Sequence, residues 1–199
     1  MKYLAIPALL MGFSLLFNTP ASQAHEFPEH EYELVALLNK SADGNKAQAA
    51  EIAEQLERIK DFMSRARFTP EGHQRYKEKV AGLEFLAKLL NASHSSTHPI
   101  DTISFNSKDL PKISGSGGCN RWMSSAEIED HKIKVGPIAM TRKLCPKEGV
   151  MELERDFSKC LQNASNWRIE GNLLVLSTDK DSEMLLFERQ DLKDTTKVP

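Results

Sequence analysis

The sequence has almost no net charge with which to attract a polyanion. Its 26 Lys and Arg residues are nearly matched by 28 Asp and Glu residues, which gives a formal net charge of −2. Nucleic-acid-binding domains usually carry a clustered basic excess. Here the Lys and Arg residues between Arg58 and Lys79 are interspersed with glutamates, which is typical of a solvated helix face. We therefore expect no nucleic-acid partner.

The sequence also lacks the local motifs of common enzymes. It has no GxSxG elbow, no HExxH pair, no CxxC and no dinucleotide loop between a strand and a helix. Carboxylates such as Glu152 and Glu154 are better explained as exposed charges near a helix start than as a general acid and base. We expect a protein that is not an enzyme and has no cofactor. An unrecognised periplasmic hydrolase or metal-binding protein is the alternative.

Long apolar runs are nearly absent, and the one at residues 4–17 is too short for a comfortable membrane span. Lys2 precedes this run, and Ser22 and Ala24 supply the small residues of a cleavage site. These features predict a signal peptide at residues 1–24 and a mature chain that begins at His25. We expect a periplasmic protein with no membrane span after cleavage.

Cysteine is scarce, with three residues at Cys119, Cys145 and Cys160. In an oxidising compartment two cysteines can pair, and an odd count leaves one thiol over. The count alone does not decide which two pair.

Residues 25–81 show a helical, charge-rich pattern. The apolar residues at 34–38 predict a short first helix, and Asp43 with Gly44 predicts a turn after it. A second helix is indicated from Asn45 to Ala66, and Thr69 followed by Pro70 is typical of an N-cap and the first position of a third helix. The result is a helical hairpin or three-helix segment. The apolar stripe of the second helix consists of Ala49, Ile52, Ala53, Leu56, Ile59 and Met63.

From residue 100 onward the pattern changes to short strands separated by turns. Residues 102–105 and 132–135 alternate between apolar and polar, and residues 173–176 and 184–187 are short apolar runs. An amphipathic helix is indicated over residues 148–164. The fold class is therefore α+β, with helices first and then a small antiparallel sheet or open barrel that carries one packed helix. The stripe of the N-terminal helices could dock on this β region or on another subunit.

Two motifs stand out in the β region. Residues 114–122 read SGSGGCNRW, and residues 138–145 read IAMTRKLC shortly before a helix that opens with MELE. Gly115, Gly117 and Gly118 permit positive φ angles and close backbone approach, which favours a structural turn. A phosphate-binding loop is the alternative, but no Gly-Lys-Ser/Thr ending is present and no helix follows directly.

Together with ISF at 103–105 and NLLVL at 172–176, these motifs resemble the META (HslJ-like) domain. The resemblance covers residues 82–190 and leaves 191–199 as a C-terminal tail. It implies that Phe85 lies in the first strand of that domain, so we prefer a strand over residues 82–91. Local propensity favours a helix there, because Leu, Ala, Lys and Glu are good helix formers.

The resemblance also implies neighbouring strands for the two motif segments, and from this we predict a disulfide between Cys119 and Cys145. Cys160 is then expected to pack as a small hydrophobic residue. The candidate binding residues in these segments are Asn120, Arg121, Trp122 and Arg142. For Trp122 we favour a place in the core, with Arg142 as its cation–π or hydrogen-bonding partner, over a place in a binding surface.

By resemblance, such a protein is expected to be a non-catalytic module that supports cell-envelope integrity or stress tolerance. Its partner is expected to be an unknown envelope protein or a lipid. A further hypothesis is metal binding by the free amine and imidazole of His25, with His30 or a later histidine completing the site. Disorder of the chain end is the more ordinary expectation for that terminus.

Overall fold

A computed structural model describes residues 26–39, 46–91, 95–96 and 103–190. The signal-peptide prediction, His25 and the predicted tail at 191–199 lie outside these residues. The elements in chain order are β1 (Glu31–Asn39), α1 (Lys46–Arg65), α2 (Pro70–Asn91), β2 (Ser95–Ser96), β3 (Ser104–Asp109), β4 (Lys112–Ser116), β5 (Arg121–Glu129), β6 (Lys132–Val135), β7 (Ala139–Met140), α3 (Val150–Asn163), β8 (Asn166–Glu170), β9 (Leu173–Ser177) and β10 (Glu183–Arg189).

Eight of the strands form a closed antiparallel barrel. The ring runs β10-β9-β8-β6-β5-β4-β3-β1 and closes because β1 also pairs with β10. Tyr32 of β1 lies opposite Phe105 of β3 on one side and opposite Arg189 of β10 on the other. The two-residue strands β2 and β7 pair with β1 and β5, respectively. The α+β prediction of helices combined with a small antiparallel barrel is confirmed, and the barrel is closed.

The barrel interior is filled by large apolar side chains that alternate along the strands. Phe105, Trp122 and Phe187 are buried there, and α3 contributes Phe157 to the same cluster. On α3 the apolar side chains recur at the spacing of one helical face, which is why the helix packs on this core. The helix predicted at 148–164 is therefore confirmed.

A second apolar cluster lies on the outside of the barrel, under the hairpin of α1 and α2. The hairpin contributes Ile52, Leu56, Leu86 and Leu90, among others, to this cluster. It covers outward-facing residues of β1, β9 and β10: Ala36, Leu38, Leu173, Val175, Met184 and Leu186. These three strands are apolar at consecutive positions because both of their faces are buried, one in the barrel and one under the hairpin.

Buried polar contacts hold α2 in place on the barrel. The Lys79 ammonium lies 3.5 Å from the Glu188 carboxylate, and the Asn172 side-chain amide donates to the same carboxylate at 3.0 Å. The backbone N–H of Asn172 donates to the Glu78 carbonyl at 3.2 Å. Gly82 lies at this contact, where a Cβ atom would overlap the Asn172 side chain, so a glycine in mid-helix permits the close approach.

Two predicted elements are wrong. Residues 34–38 form part of strand β1 and not a helix, and the run is apolar throughout because one face of β1 lies in the barrel and the other lies under the hairpin. Residues 82–91 form the last turns of α2 and not a strand, so local propensity, and not the resemblance, was the better guide. The predicted boundary between 81 and 82 consequently falls inside a continuous helix.

Other local predictions are confirmed. The Thr69 hydroxyl accepts a hydrogen bond from the Gly72 backbone N–H at 3.1 Å, as an N-cap does, and α2 begins at Pro70. Strands β6, β9 and β10 contain the predicted runs. None of the helices in the described part of the chain combines the length and apolarity that crossing a bilayer requires.

Candidate functional site

The two sequence motifs lie side by side on the barrel, as predicted. Trp122 and Met123 of β5 pair with Met140 and Ala139 of β7, and the Thr141 backbone N–H donates to the Arg121 carbonyl at 3.0 Å. The structure joins Cys119 to Cys145, with 6.2 Å between their Cα atoms. That spacing lies in the normal range for a disulfide.

Asn120 connects the two motif segments through both ends of its side-chain amide. Its Oδ1 accepts from the Lys143 backbone N–H at 2.7 Å and from the Thr141 hydroxyl at 2.8 Å. Its Nδ2 donates to the Lys143 carbonyl at 3.2 Å. Both backbone groups of Lys143 are thus held by one buried side chain. Asn120, predicted as a binding residue, therefore acts here as a clamp between two parts of the same chain.

Glu154 of α3 completes this arrangement. One carboxylate oxygen accepts from the backbone N–H groups of Cys119, at 3.0 Å, and Asn120. The other accepts from Asn120 Nδ2 at 2.7 Å. Glu154 is 3% exposed, so the expectation of an exposed charge at this position is wrong. The contacts of its carboxylate are hydrogen bonds within the protein. A buried carboxylate is tolerated when charge-assisted hydrogen bonds replace its water.

The glycine motif is built for this contact. Gly118 has a φ of 98°, which side-chain-bearing residues rarely adopt, and a Cβ on Gly117 would meet the Glu154 carboxylate. The turn presents successive backbone N–H groups to an anion, which is the chemistry of a phosphate-binding loop. Here the anion is a side chain of the same protein. These donors are already occupied, and the structural interpretation is the one that the contacts support.

The other candidate binding residues divide between core and surface. Trp122 is 2% exposed and contacts Phe105 and Phe157 inside the barrel. Arg121 and Arg142 are exposed. Within the described part of the chain, the side chains of Arg121 and Arg142 have no hydrogen-bond or ion-pair partner. The core position preferred for Trp122 is thus observed, but without Arg142 as its partner.

A groove of about 370 Å³ lies between the segment at 138–144 and α3. Its lining combines cationic side chains with apolar ones. The cations are Arg142, Lys143 and Arg155, and the apolar residues are Ile138, Met140, Leu144 and Met151. Glu154 also lines the groove, but its carboxylate is committed to the glycine turn. We call residues 142–147 the basic loop; it includes Cys145 and ends at Lys147.

A larger groove of about 710 Å³ lies on the outer surface of β1, β3, β4 and β5. Glu31, Glu33 and Arg121 supply its charges, and serines and asparagine supply much of the remaining polar lining. The mixed charge favours no single class of ligand.

Sequence reasoning missed Glu154 and Leu144. A signal for Glu154 was present, because it stands one helical turn after Val150 and three residues before Phe157, on the apolar face of α3. A glutamate on such a face is buried and therefore requires hydrogen-bond donors. The glycine turn was the place in the sequence to expect backbone N–H groups that do not pair with a strand. No sequence signal separates Leu144 from a core leucine.

Cys160 and the histidines complete the set of candidate reactive groups. Cys160 is buried as expected, and its burial raises the pKa of the thiol from 9.0 to about 12. Within the described residues, no three His, Cys, Asp or Glu side chains are grouped closely enough to hold a metal ion. The proposed metal site at His25 lies outside them and stays a prediction.

Comparison with known proteins gives one family and a small set of relatives. The family described as META domain matches residues 78–191. Heat shock protein HslJ of Escherichia coli (strain K12) is 31% identical over 90 residues, and the match spans 45% of this chain and 61% of that protein's length. A protein solved by NMR from Burkholderia xenovorans is 17% identical, with a TM-score of 0.45, over 86% of this chain and 96% of that one. Another NMR structure is 26% identical, with a TM-score of 0.38, over 45% of this chain and 74% of that one.

Proposed function

Since the chain belongs to the META domain family, we propose that it is an exported, non-catalytic binding protein that contributes to stress tolerance of the cell envelope. The name of the E. coli relative, a heat shock protein, supports a role under stress. The proposal adds to this that the protein is located in the cell envelope and binds a partner there.

The observation that carries this proposal is that the polar motif residues bind one another. Asn120 donates to Glu154 and accepts from the Thr141 hydroxyl and the Lys143 backbone N–H. A general acid or base needs a carboxyl group that can reach a substrate. At this position both Glu154 oxygens accept hydrogen bonds from the protein itself, which supports a structural role for the motif and leaves the exposed residues beside it for recognition.

Export is supported by two independent features. The pairing of Cys119 with Cys145 suits an oxidising compartment, where disulfides persist. The apolar run at residues 4–17, followed by small residues before His25, has the order of a secretory signal. The proposal is therefore a periplasmic protein whose mature chain begins at His25.

Fractionation and mass measurement test the export step. The full-length chain, expressed from its own start, is expected in the osmotic-shock fraction as a species that begins at His25. Unprocessed chain confined to the cytoplasm would contradict this step.

A deletion strain tests the role in stress. We expect lower survival than the parent after heat or detergent challenge, and recovery when the wild-type gene is supplied. Cys160→Ala is expected to complement like the wild type, because none of the described hydrogen bonds of Glu154 and Asn120 involves Cys160. Equal survival of deletion and parent strains would contradict the proposal. Turnover of ester, peptide or glycoside substrates that depends on Glu154, or a stoichiometric metal in the purified mature protein, would support the hydrolase or metal-binding alternative.

A further inference from the structure

Leu144 is the most exposed large apolar side chain in the described part of the chain. It is 92% exposed, compared with 62% for Met123 and 45% for Ile169. Single exposed leucines are common on protein surfaces and mean little by themselves. Leu144 differs because both of its chain neighbours are fixed.

Lys143, on one side of Leu144, is held through its backbone N–H and its carbonyl by the buried Asn120 side chain. On the other side, Cys145 is joined to Cys119, the residue next to Asn120. The basic loop is therefore tethered twice to one buried turn, and this turn is itself fixed by Glu154. Leu144 is thus presented in a set position, so little conformational entropy is lost when it docks.

The surroundings of Leu144 are cationic. Arg142 and Lys143 precede it, Lys147 follows it, and Arg155 lies across the groove on α3. In the described part of the chain, the ends of the Arg142 and Lys143 side chains meet no carboxylate. Arg155 lies 3.9 Å from Asp156, and both are surface residues on the same helix. Glu148 and Glu152 are the exposed carboxylates nearest in sequence and do not line the groove.

We propose that the basic loop docks the protein on an anionic phospholipid surface. Leu144 enters the boundary between headgroups and acyl chains, while Arg142, Lys143 and Arg155 face the lipid phosphates. Ile138, Met140 and Met151 extend the apolar contact behind it. This inference rests on the proposed function, because an exported protein of the envelope meets such surfaces, and it names the partner class for that function.

A lipid surface suits these residues better than an acidic protein segment. Protein interfaces favour Tyr, Trp, Met and Arg and are depleted in Lys. The described lining of this groove contains no aromatic side chain, and its exposed leucine has Lys and Arg around it, as in interfacial membrane contacts. Each Lys or Arg near an anionic bilayer strengthens binding by about fivefold.

The position of the loop in the fold permits this docking. Strand β7 pairs with β5, which lies four places from β10 around the eight-stranded ring. The α1–α2 hairpin covers β1, β9 and β10 on the other side of the barrel. A flat surface can therefore approach the basic loop without contacting the hairpin.

The test is co-sedimentation of the full mature protein with two kinds of vesicle, one of phosphatidylcholine alone and one that also contains phosphatidylglycerol. We expect binding to the second kind and little to the first, with the affinity falling as salt is raised. Arg142→Gln is expected to weaken binding about fivefold. Leu144→Ser is expected to weaken it about tenfold, because apolar burial is lost.

Matched controls separate docking from general surface effects. Met123→Ser removes another exposed apolar side chain, and Arg75→Gln removes an exposed charge on the hairpin; both are expected to leave vesicle binding unchanged. Neither Arg142→Gln nor Leu144→Ser removes a contact of Asn120 or Glu154, so each should fold like the wild type, as judged by thermal unfolding.

Several results would overturn the inference. Equal binding to both kinds of vesicle, no binding to either, or unchanged binding by Arg142→Gln and Leu144→Ser would each do so. Binding to soluble polyglutamate in place of vesicles would point to an acidic protein partner. If both variants lose vesicle binding but the deletion strain survives stress as well as its parent, docking stands and the proposed function fails.

Discussion

At the scale of single residues, the molecule is organised around one buried carboxylate. The Glu154 carboxylate takes the place of an anion bound by the glycine turn and holds the Asn120 side chain. Asn120 in turn holds the backbone of Lys143. The motif thus acts through contacts within the chain. The exposed residues beside it carry the proposed recognition.

Replacement of Glu154 by Ala is expected to lower the free energy of unfolding by about 3 kcal/mol, because three charge-assisted hydrogen bonds are lost, two of them buried. Urea denaturation of the oxidised protein measures this loss. Glu152→Ala is the matched control: Glu152 is exposed on the same helix, so its loss should cost less than about 0.5 kcal/mol. Equal losses for the two variants would contradict the role assigned to Glu154.

Cys160 gives a prediction about pH. Burial raises the pKa of its thiol from 9.0 to about 12, so the folded protein holds this proton more tightly than the unfolded chain does. The resulting stabilisation is fully present below pH 9 and is lost as the pH rises from 9 towards 12. The measurement is the free energy of unfolding of the wild type and of Cys160→Ala between pH 9 and pH 12. We expect the free energy of the wild type to fall further.

Thiol labelling provides a second readout for Cys160. In the native protein at neutral pH no thiol should react quickly with a maleimide reagent, and without reductant one thiol should react after unfolding. Three reactive thiols in the unreduced, unfolded protein would show that Cys119 and Cys145 are not paired.

At the scale of elements, the success of the sequence analysis depended on whether one face or two were buried. Strand β6 alternates because its outer face is exposed, and α3 has a one-sided stripe; both were predicted. Residues 34–38 are apolar at every position, and such a run fits a helix or a doubly covered strand equally well. Only the hairpin above β1, which is a tertiary feature, decides between the two.

The last turns of α2 illustrate the opposite error. Residues 82–91 have helix-forming composition, and the resemblance to the META domain pointed to a strand because it placed Phe85 in the first strand of that domain. The barrel takes its first strand from β1 instead, and the hairpin is inserted between β1 and β3. The disulfide and the adjacency of the two motifs could be anticipated; the Glu154 contact required the position of α3.

The hairpin should contribute stability through its buried face. Ile52 is 6% exposed in the outer cluster, and Ile52→Ala is expected to lower the free energy of unfolding by about 3 kcal/mol. Glu51→Ala, at an exposed position next to it, should change it by less than about 0.5 kcal/mol. Urea denaturation measures both variants. If Ile52→Ala left the free energy of unfolding unchanged, the hairpin would not pack on the barrel.

At the scale of the whole molecule, one side of the barrel buries apolar surface and the opposite side presents the residues proposed for recognition. On one side the hairpin covers β1, β9 and β10 and closes off apolar surface. On the other side a turn, a disulfide and a carboxylate fix the basic loop beside α3. The proposed membrane docking uses only this second side, so substitutions under the hairpin can lower stability without changing the docking residues.

Hydrogen exchange measured across the whole oxidised protein tests the central claim, that a buried carboxylate fixes the motif loops. The backbone N–H groups of Cys119, Asn120 and Lys143 lie outside helices and strands, yet each donates to a side chain of the clamp. The account predicts that all three exchange slowly, and that Glu154→Ala speeds their exchange while the N–H groups of β9 stay protected. Exchange of these three groups as fast as that of the exposed turn residue Asp179, in the wild-type protein, would contradict it.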